Sequence, residues 1–194
     1  MLKLKNNYYI LRHGQTDWQT KKKEWTYPKS DSPKIKLTKK GEKQIKKAVE
    51  KVRGKKVDLI FSSDFFRARQ TSKIVAKALG LKVNFDKRLR DINLGIYKGR
   101  TKEEFYAKFP RYSKNRFQKS PPGGENWLEV KKRMLQAIKG VEKKNKSKTI
   151  LIVSHAEPLW LLEGAVKNWS LTEFLKNRKN NYIEIAELRK LHGA

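Results

Sequence analysis

The sequence predicts an α/β fold, a three-layer sandwich with a mostly parallel central sheet and helices on both faces. Three observations carry that reading. Short runs rich in β-branched and aromatic residues, at 7–11 (NYYIL), 57–61 (VDLIF), 81–85 (LKVNF) and 149–153 (TILIV), alternate with longer segments of helical period, an order that places helices over both faces of a parallel sheet. The 194 residues suit a single domain, 1–194, large enough to close a hydrophobic core. No cysteine is present, so neither a disulfide framework nor a thiolate metal site can substitute for that core.

Residues 7–11 are too short a run for a helix and form the first strand, with Arg12, His13 and Gly14 at its carboxyl end. Residues 15–35 are polar and punctuated by Pro28 and Pro33, which predicts a long loop over whatever site that strand presents. Thr38 is an N-cap candidate for a helix to Arg53, in which Ile45, Ala48, Val49 and Val52 recur at helical spacing and lysines fill the other face. The second strand ends at Ser62, Ser63 and Asp64, any of which can cap a helix over 65–79 closed by Gly80. The third strand leads into the glycine-marked stretch RDINLGIYKGRT and a short helix over 102–109, ended by Pro110. After the loop SPPGGEN at 120–126, Trp127, Val130, Met134, Ala137, Ile138 and Val141 keep a helical period to residue 143, before the strand TILIV.

Forty-eight basic against 19 acidic side chains give a net charge of +29, which invites a polyanionic partner. The distribution argues for a solvated surface instead. Thirty-six lysines against 12 arginines are spread over nearly every segment, whereas specific phosphate or base recognition favours the planar guanidinium. The expected behaviour is non-specific, salt-sensitive adhesion to anionic matrices. Trp25 and Tyr27, beside Lys21 to Lys23, are better explained as loop anchors than as a stacking platform for single strands. No apolar run approaches the roughly 18 to 20 residues that span a bilayer, and the start lacks a secretory signal, so a cytoplasmic protein without a membrane partner is expected.

Ligands of such sheets bind beyond the carboxyl ends of the strands. There the prediction places Arg12 and His13 on one tip, residues 62–69 on a second, and Ser154, His155 and Ala156 on a third. Two histidines and at least two arginines in one pocket suit a phosphate dianion, which accepts several charge-assisted hydrogen bonds.

The order of segments then brings in a family. YYILRHGQTDW (8–18), LTKKGEKQ (37–44), DLIFSSDFFRARQTSKIVAKALG (58–80), LRDINLGIYKGRT (89–101), PPGGENWLEVKKR (121–133) and ILIVSHAEPL (150–159) cover most of the chain. Together they resemble the histidine phosphatase superfamily, which includes cofactor-dependent phosphoglycerate mutases and many small phosphomonoesterases. The resemblance implies a phosphoglycerate mutase-like fold, His13 as the nucleophile that becomes phosphohistidine, Arg12 and Arg67 as a phosphate clamp, and a protonated His155 completing the pocket. It implies no metal and no cofactor. Asp91 stands where the family places its proton donor, commonly a glutamate. Glu157 is the second candidate, because SHAEP departs from the small glycine pair frequent in the family, and Glu125 is a third carboxylate with an orienting or structural role. Gly14 is expected to let the backbone approach the phosphate. Thr16, Ser62, Gln19 and Ala156 are possible substrate contacts, although Thr16 and Ser62 equally suit turns or caps and Gln19 stands where relatives carry asparagine. His192, in a polar tail, is expected to play no part.

The compact chain resembles the phosphatase branch, so hydrolysis of a small phosphate ester is expected. Phosphoryl transfer within phosphoglycerate is the alternative, and a non-catalytic module binding a phosphorylated ligand or nucleic acid a second one. Neither substrate nor oligomeric state is legible.

Overall fold

The structure, a computed structural model, describes residues 4–28 and 35–191. Its centre is a five-stranded sheet built from β1 (Asn7–Arg12), β2 (Leu59–Ser62), β3 (Val83–Phe85), β4 (Thr149–Ser154) and β5 (Leu188–Leu191), in the order β3-β2-β4-β1-β5. The first four run parallel, and β5 lies antiparallel against β1 at one edge. Seven helices surround it among the described residues: α1 (Asp17–Lys21), α2 (Lys39–Arg53), α3 (Phe66–Leu79), α4 (Lys102–Lys108), α5 (Trp127–Lys144), α6 (Ala156–Val166) and α7 (Leu171–Asn180).

Alternation along the strands sorts the core into two layers. Tyr8, Ile10, Ile150 and Ile152 point to one face, where Trp127, Val130 and Met134 of α5, Trp160 of α6 and Phe174 of α7 cover them. Leu11, Ile60, Leu151 and Val153 point to the other, under Ile45, Val49 and Val52 of α2 and Val75 of α3. The three-layer architecture is therefore the one expected, and the lysine face of α2 is turned outward. Thr38 caps α2 by accepting from the Gly41 N–H at 2.9 Å, and Gly80 ends α3 at φ 69°, a left-handed conformation that glycine adopts without strain.

Three expectations are corrected. Residues 15–35 are not an uninterrupted loop: Thr16 and Gln19 form a reciprocal capping box that starts α1, while residues 29–34, Pro33 among them, lie outside the described residues. The helix after β2 begins at Phe66, with no side-chain cap at Phe65; Ser63 Oγ instead accepts from the Phe65 N–H at 3.2 Å, and Asp64 pairs with Arg90. The sheet also acquires an antiparallel edge that the β5 sequence, LRKL, does not announce. No helix among the described residues is long and apolar enough to cross a membrane.

Candidate active site

The sheet register assembles the site. Arg12 pairs with Ser154 and Ser62 with Val153, so β4, lying between β1 and β2, sets the three strand tips side by side. The next residues continue the ladder: the His13 N–H donates to the Ser154 carbonyl at 3.1 Å and the Ser63 N–H to that of Val153 at 2.9 Å. His13 and His155 thus leave adjacent strands at one level, with ring centroids 5.2 Å apart. Both are buried.

His13 Nδ1 lies 2.9 Å from the Gly14 carbonyl oxygen, which can only accept, so Nδ1 carries the proton and Nε2 keeps its lone pair. Burial, then Arg67 and Arg12, push the pKa of this imidazole well below its ordinary value, which keeps it neutral and nucleophilic. Arg67, on the first turn of α3, stacks on the Tyr27 ring at 4.0 Å and donates to Asp91 Oδ2 at 3.0 Å. Arg12 donates through one terminal nitrogen to the Ile183 carbonyl at 2.9 Å, while its buried Nε has no hydrogen-bond partner among the described residues.

His155 is set in the same surroundings. Burial and the facing Arg67, His13, Arg133 and Arg12 drive its pKa well below the ordinary value, which favours the neutral ring. Its Nε2 lies 2.9 Å from Ser63 Oγ, and its Nδ1, 3.7 Å from Asp91 Oδ2, is too far for a hydrogen bond.

The two candidate carboxyls separate clearly. Burial pushes Asp91 above the ordinary carboxyl range, against the pull of Arg67, and the charge of Glu157 adds to the rise. Glu157 Oε1 accepts from Trp127 Nε1 at 2.5 Å and pairs with Arg116 at 2.9 Å and Arg178 at 3.3 Å. Burial alone would raise Glu157, but those two guanidinium groups and the indole outweigh it and hold the carboxyl low. A carboxylate so held is a poor proton donor. Glu125 grips Arg133 with both oxygens and accepts from the Asn93 N–H, and Arg133 in turn donates to the Asp91 carbonyl.

Several expected contacts are committed elsewhere. Gly14 admits the backbone of Gly41, since a Cβ there would sit 2.7 Å from the Gly41 carbonyl oxygen. Thr16 accepts from the Gln19 N–H and touches the Tyr27 hydroxyl. Gln19 Oε1 accepts from the Thr16 N–H, so that side chain closes a cap although the residue lines the cavity. Ser62 donates to the Ser63 carbonyl at 2.9 Å. Ala156, at the start of α6, does line the cavity. His192 lies outside the described residues.

The cavity measures about 640 Å³. Arg12, His13, Arg67 and Asp91 line it, and the segments around Trp18, Trp25 and Tyr27 and around Phe105 and Tyr106 form its aromatic wall. Thr26 pins that wall by donating to the Tyr97 carbonyl at 2.6 Å, and the Gly99 N–H returns a bond to Tyr27. Sequence reasoning missed Ser63, Tyr182, Arg116 and Arg178 as parts of the site. The tyrosine and arginines sit in segments without a motif, and Ser63 offered only a hydroxyl already explained as a helix cap.

Fold and site together give an α/β protein in which Arg12, Arg67, His13 and His155 gather at the carboxyl edge of a parallel sheet, beside the cavity. The sequence matches the histidine phosphatase superfamily (branch 1) over residues 8–190, and the chain belongs to that family. It is 33% identical over 164 residues to a probable phosphoglycerate mutase GpmB of Salmonella choleraesuis (strain SC-B67), covering 81% of this chain and 73% of that one. Bacillus stearothermophilus YhfR superposes with a TM-score of 0.80 at 26% identity, over 95% of this chain and 90% of the other. A mycobacterial glucosyl-3-phosphoglycerate phosphatase gives 0.79 at 24%, over 97% and 90%, a likeness of fold.

Proposed function

We propose that this protein is a phosphohistidine-forming phosphomonoesterase of the cytoplasm that needs no metal. The observation that carries the proposal is the His13 ring: its Nδ1–H is fixed on the Gly14 carbonyl, and its bare Nε2 belongs to a buried ring between Arg12, Arg67 and His155. Nε2 attacks phosphorus as the ester P–O bond breaks, and Asp91 gives its proton to the leaving alkoxide. The resulting Asp91 carboxylate takes a proton from water as that water's oxygen attacks phosphorus and the P–Nε2 bond breaks, restoring both residues. Arg12 and Arg67 hold the equatorial oxygens, and their fixed charges supply the stabilisation that phosphoryl transfer requires.

The substrate is a small ester bearing a further negative charge. Nine cationic side chains line the cavity against three acidic ones, Asp91, Glu125 and Glu157, each of which already has an arginine partner. The names of structurally similar proteins, a glucosyl-3-phosphoglycerate phosphatase and a phosphoserine phosphatase, support hydrolysis of such esters.

A panel of phosphoesters assayed with chelator present tests the proposal: turnover persists in the wild type and disappears in His13→Ala. Chelator-sensitive turnover, or an active His13→Ala, overturns it. The relative named a probable phosphoglycerate mutase favours a second reading, in which a substrate hydroxyl replaces water as acceptor. With 3-phosphoglycerate and a trace of the 2,3-bisphosphate, hydrolysis releases phosphate faster than 2-phosphoglycerate appears; the reverse order selects the mutase.

A further inference from the structure

Ser63 lies between the second strand and α3, fully buried, and the chemistry above gives it no part. Its hydroxyl oxygen accepts the Phe65 N–H at 3.2 Å, and 2.9 Å away is Nε2 of His155. A hydroxyl has one proton to give, and no other acceptor for it is recorded among the described residues. We propose that Ser63 is a positioning residue that donates its proton to His155 Nε2, thereby placing the ring's own proton on Nδ1, the edge facing Asp91, where it serves as a neutral hydrogen-bond donor to the transferring phosphoryl group.

Three further observations agree. His155 Nδ1 is buried without a hydrogen-bond partner among the described residues, a donor that a ligand can satisfy. The opposite tautomer would leave the serine proton without an acceptor among the described residues. The charged groups acting on the ring, Arg67, Arg12 and Arg133, with His13 beside it, oppose a cation there, so a neutral N–H is the form that the environment sustains. His13 and His155 are then set in the same way, one by a carbonyl and one by a hydroxyl: one ring presents a lone pair and the other a proton.

The catalytic consequence rests on the phosphohistidine reading, but the tautomer does not. Nitrogen-15 NMR of histidine-labelled protein at neutral pH reads it directly, and with three histidines in the chain, His13→Ala and His155→Ala assign the signals. The expected wild-type spectrum shows His155 as the neutral Nδ1–H form. Ser63→Ala is expected to shift it toward a mixture of tautomers and to lower kcat/KM by about 10- to 100-fold, the usual loss when a partner that orients a histidine is removed. Ser63→Thr, which keeps the hydroxyl, is expected to recover both. A wild-type His155 protonated on Nε2 or on both nitrogens overturns the proposal, as does a Ser63→Ala protein with unchanged spectrum and rate. If Ser63→Ala fails to fold, the wild-type spectrum still decides. An Nδ1–H signal together with an active His13→Ala defeats the phosphohistidine reading and leaves this one standing, and His13-dependent turnover with Nε2–H at His155 does the opposite.

Discussion

Asp91 accepts an N–H from Arg67 at 3.0 Å, yet its carboxyl sits above the ordinary range because burial outweighs the neighbouring guanidinium. That balance suits a group that must hold a proton, give it to an alkoxide and take one back from water. Asp91→Asn keeps an acceptor for the Ile92 N–H but removes the transferable proton. Turnover of alkyl phosphates is expected to fall by about 10²- to 10⁴-fold, the usual contribution of a general acid. With p-nitrophenyl phosphate, whose leaving group barely needs protonation, the loss is expected to be far smaller; equal losses on both substrates would move the acid elsewhere. Residues of this kind were legible in the sequence because they follow strands: Arg12, His13 and His155 sit where chain order and strand periodicity fix the position. Ser63 was not, because a hydroxyl after a strand is ambiguous until the ring opposite it is known. The fall in the His155 pKa was not legible for a related reason, since the burial that causes it is a property of the assembled core.

The elements show the same division. Strands and helices with a clear period were found within a few residues, whereas α6 is buried along nearly its whole length and carries no amphipathic signal to read. That helix nonetheless decides the role of Glu157. Its second residue reaches Trp127 at the start of α5, Arg178 on α7 and Arg116 in the turn between α4 and α5, so one carboxylate ties four segments together. Glu157→Gln leaves two buried guanidinium groups without a counter-charge, and breaking a buried pair costs about 3–5 kcal/mol. Thermal unfolding is expected to show a drop in Tm on the order of 10 °C for a chain of this size. Turnover at room temperature is expected to persist, with alkyl and aryl phosphates affected alike. An unchanged Tm would dissolve the tie, and a selective loss on alkyl phosphates would restore Glu157 as the proton donor.

Over the whole molecule, charge and pH act together. The net +29 is spread over lysine-rich surfaces such as the outer face of α2, so binding to RNA or heparin is expected to weaken steeply with salt and to show no sequence preference. Affinity that survives high salt would point to a dedicated polyanion site. Stability is more sharply determined. His13 and His155 are neutral in the folded chain, with pKa values well below the 6.5 they regain on unfolding, so below that pH the unfolded chain binds more protons and stability falls. Each ring contributes up to about 1.4 kcal/mol per pH unit in that window. Asp91 acts in the opposite sense: its raised carboxyl is protonated first in the folded chain, so its contribution improves as pH falls, but one carboxyl opposes two imidazoles. Self-repulsion of a cationic chain that gains charge in acid adds to the loss. Melting at constant ionic strength is therefore expected to be steady above pH 7 and to decline steeply below pH 6.5, the slope lessening when His13 and His155 are both replaced by glutamine. Inorganic phosphate is expected to recover part of the loss, because an anion that binds the folded chain and not the unfolded one stabilises it by mass action. A Tm that stays level from pH 7.5 to pH 5.5 would mean that the imidazoles are not held neutral by burial, and the lone pair that the proposed attack by His13 requires would no longer be secured by the fold.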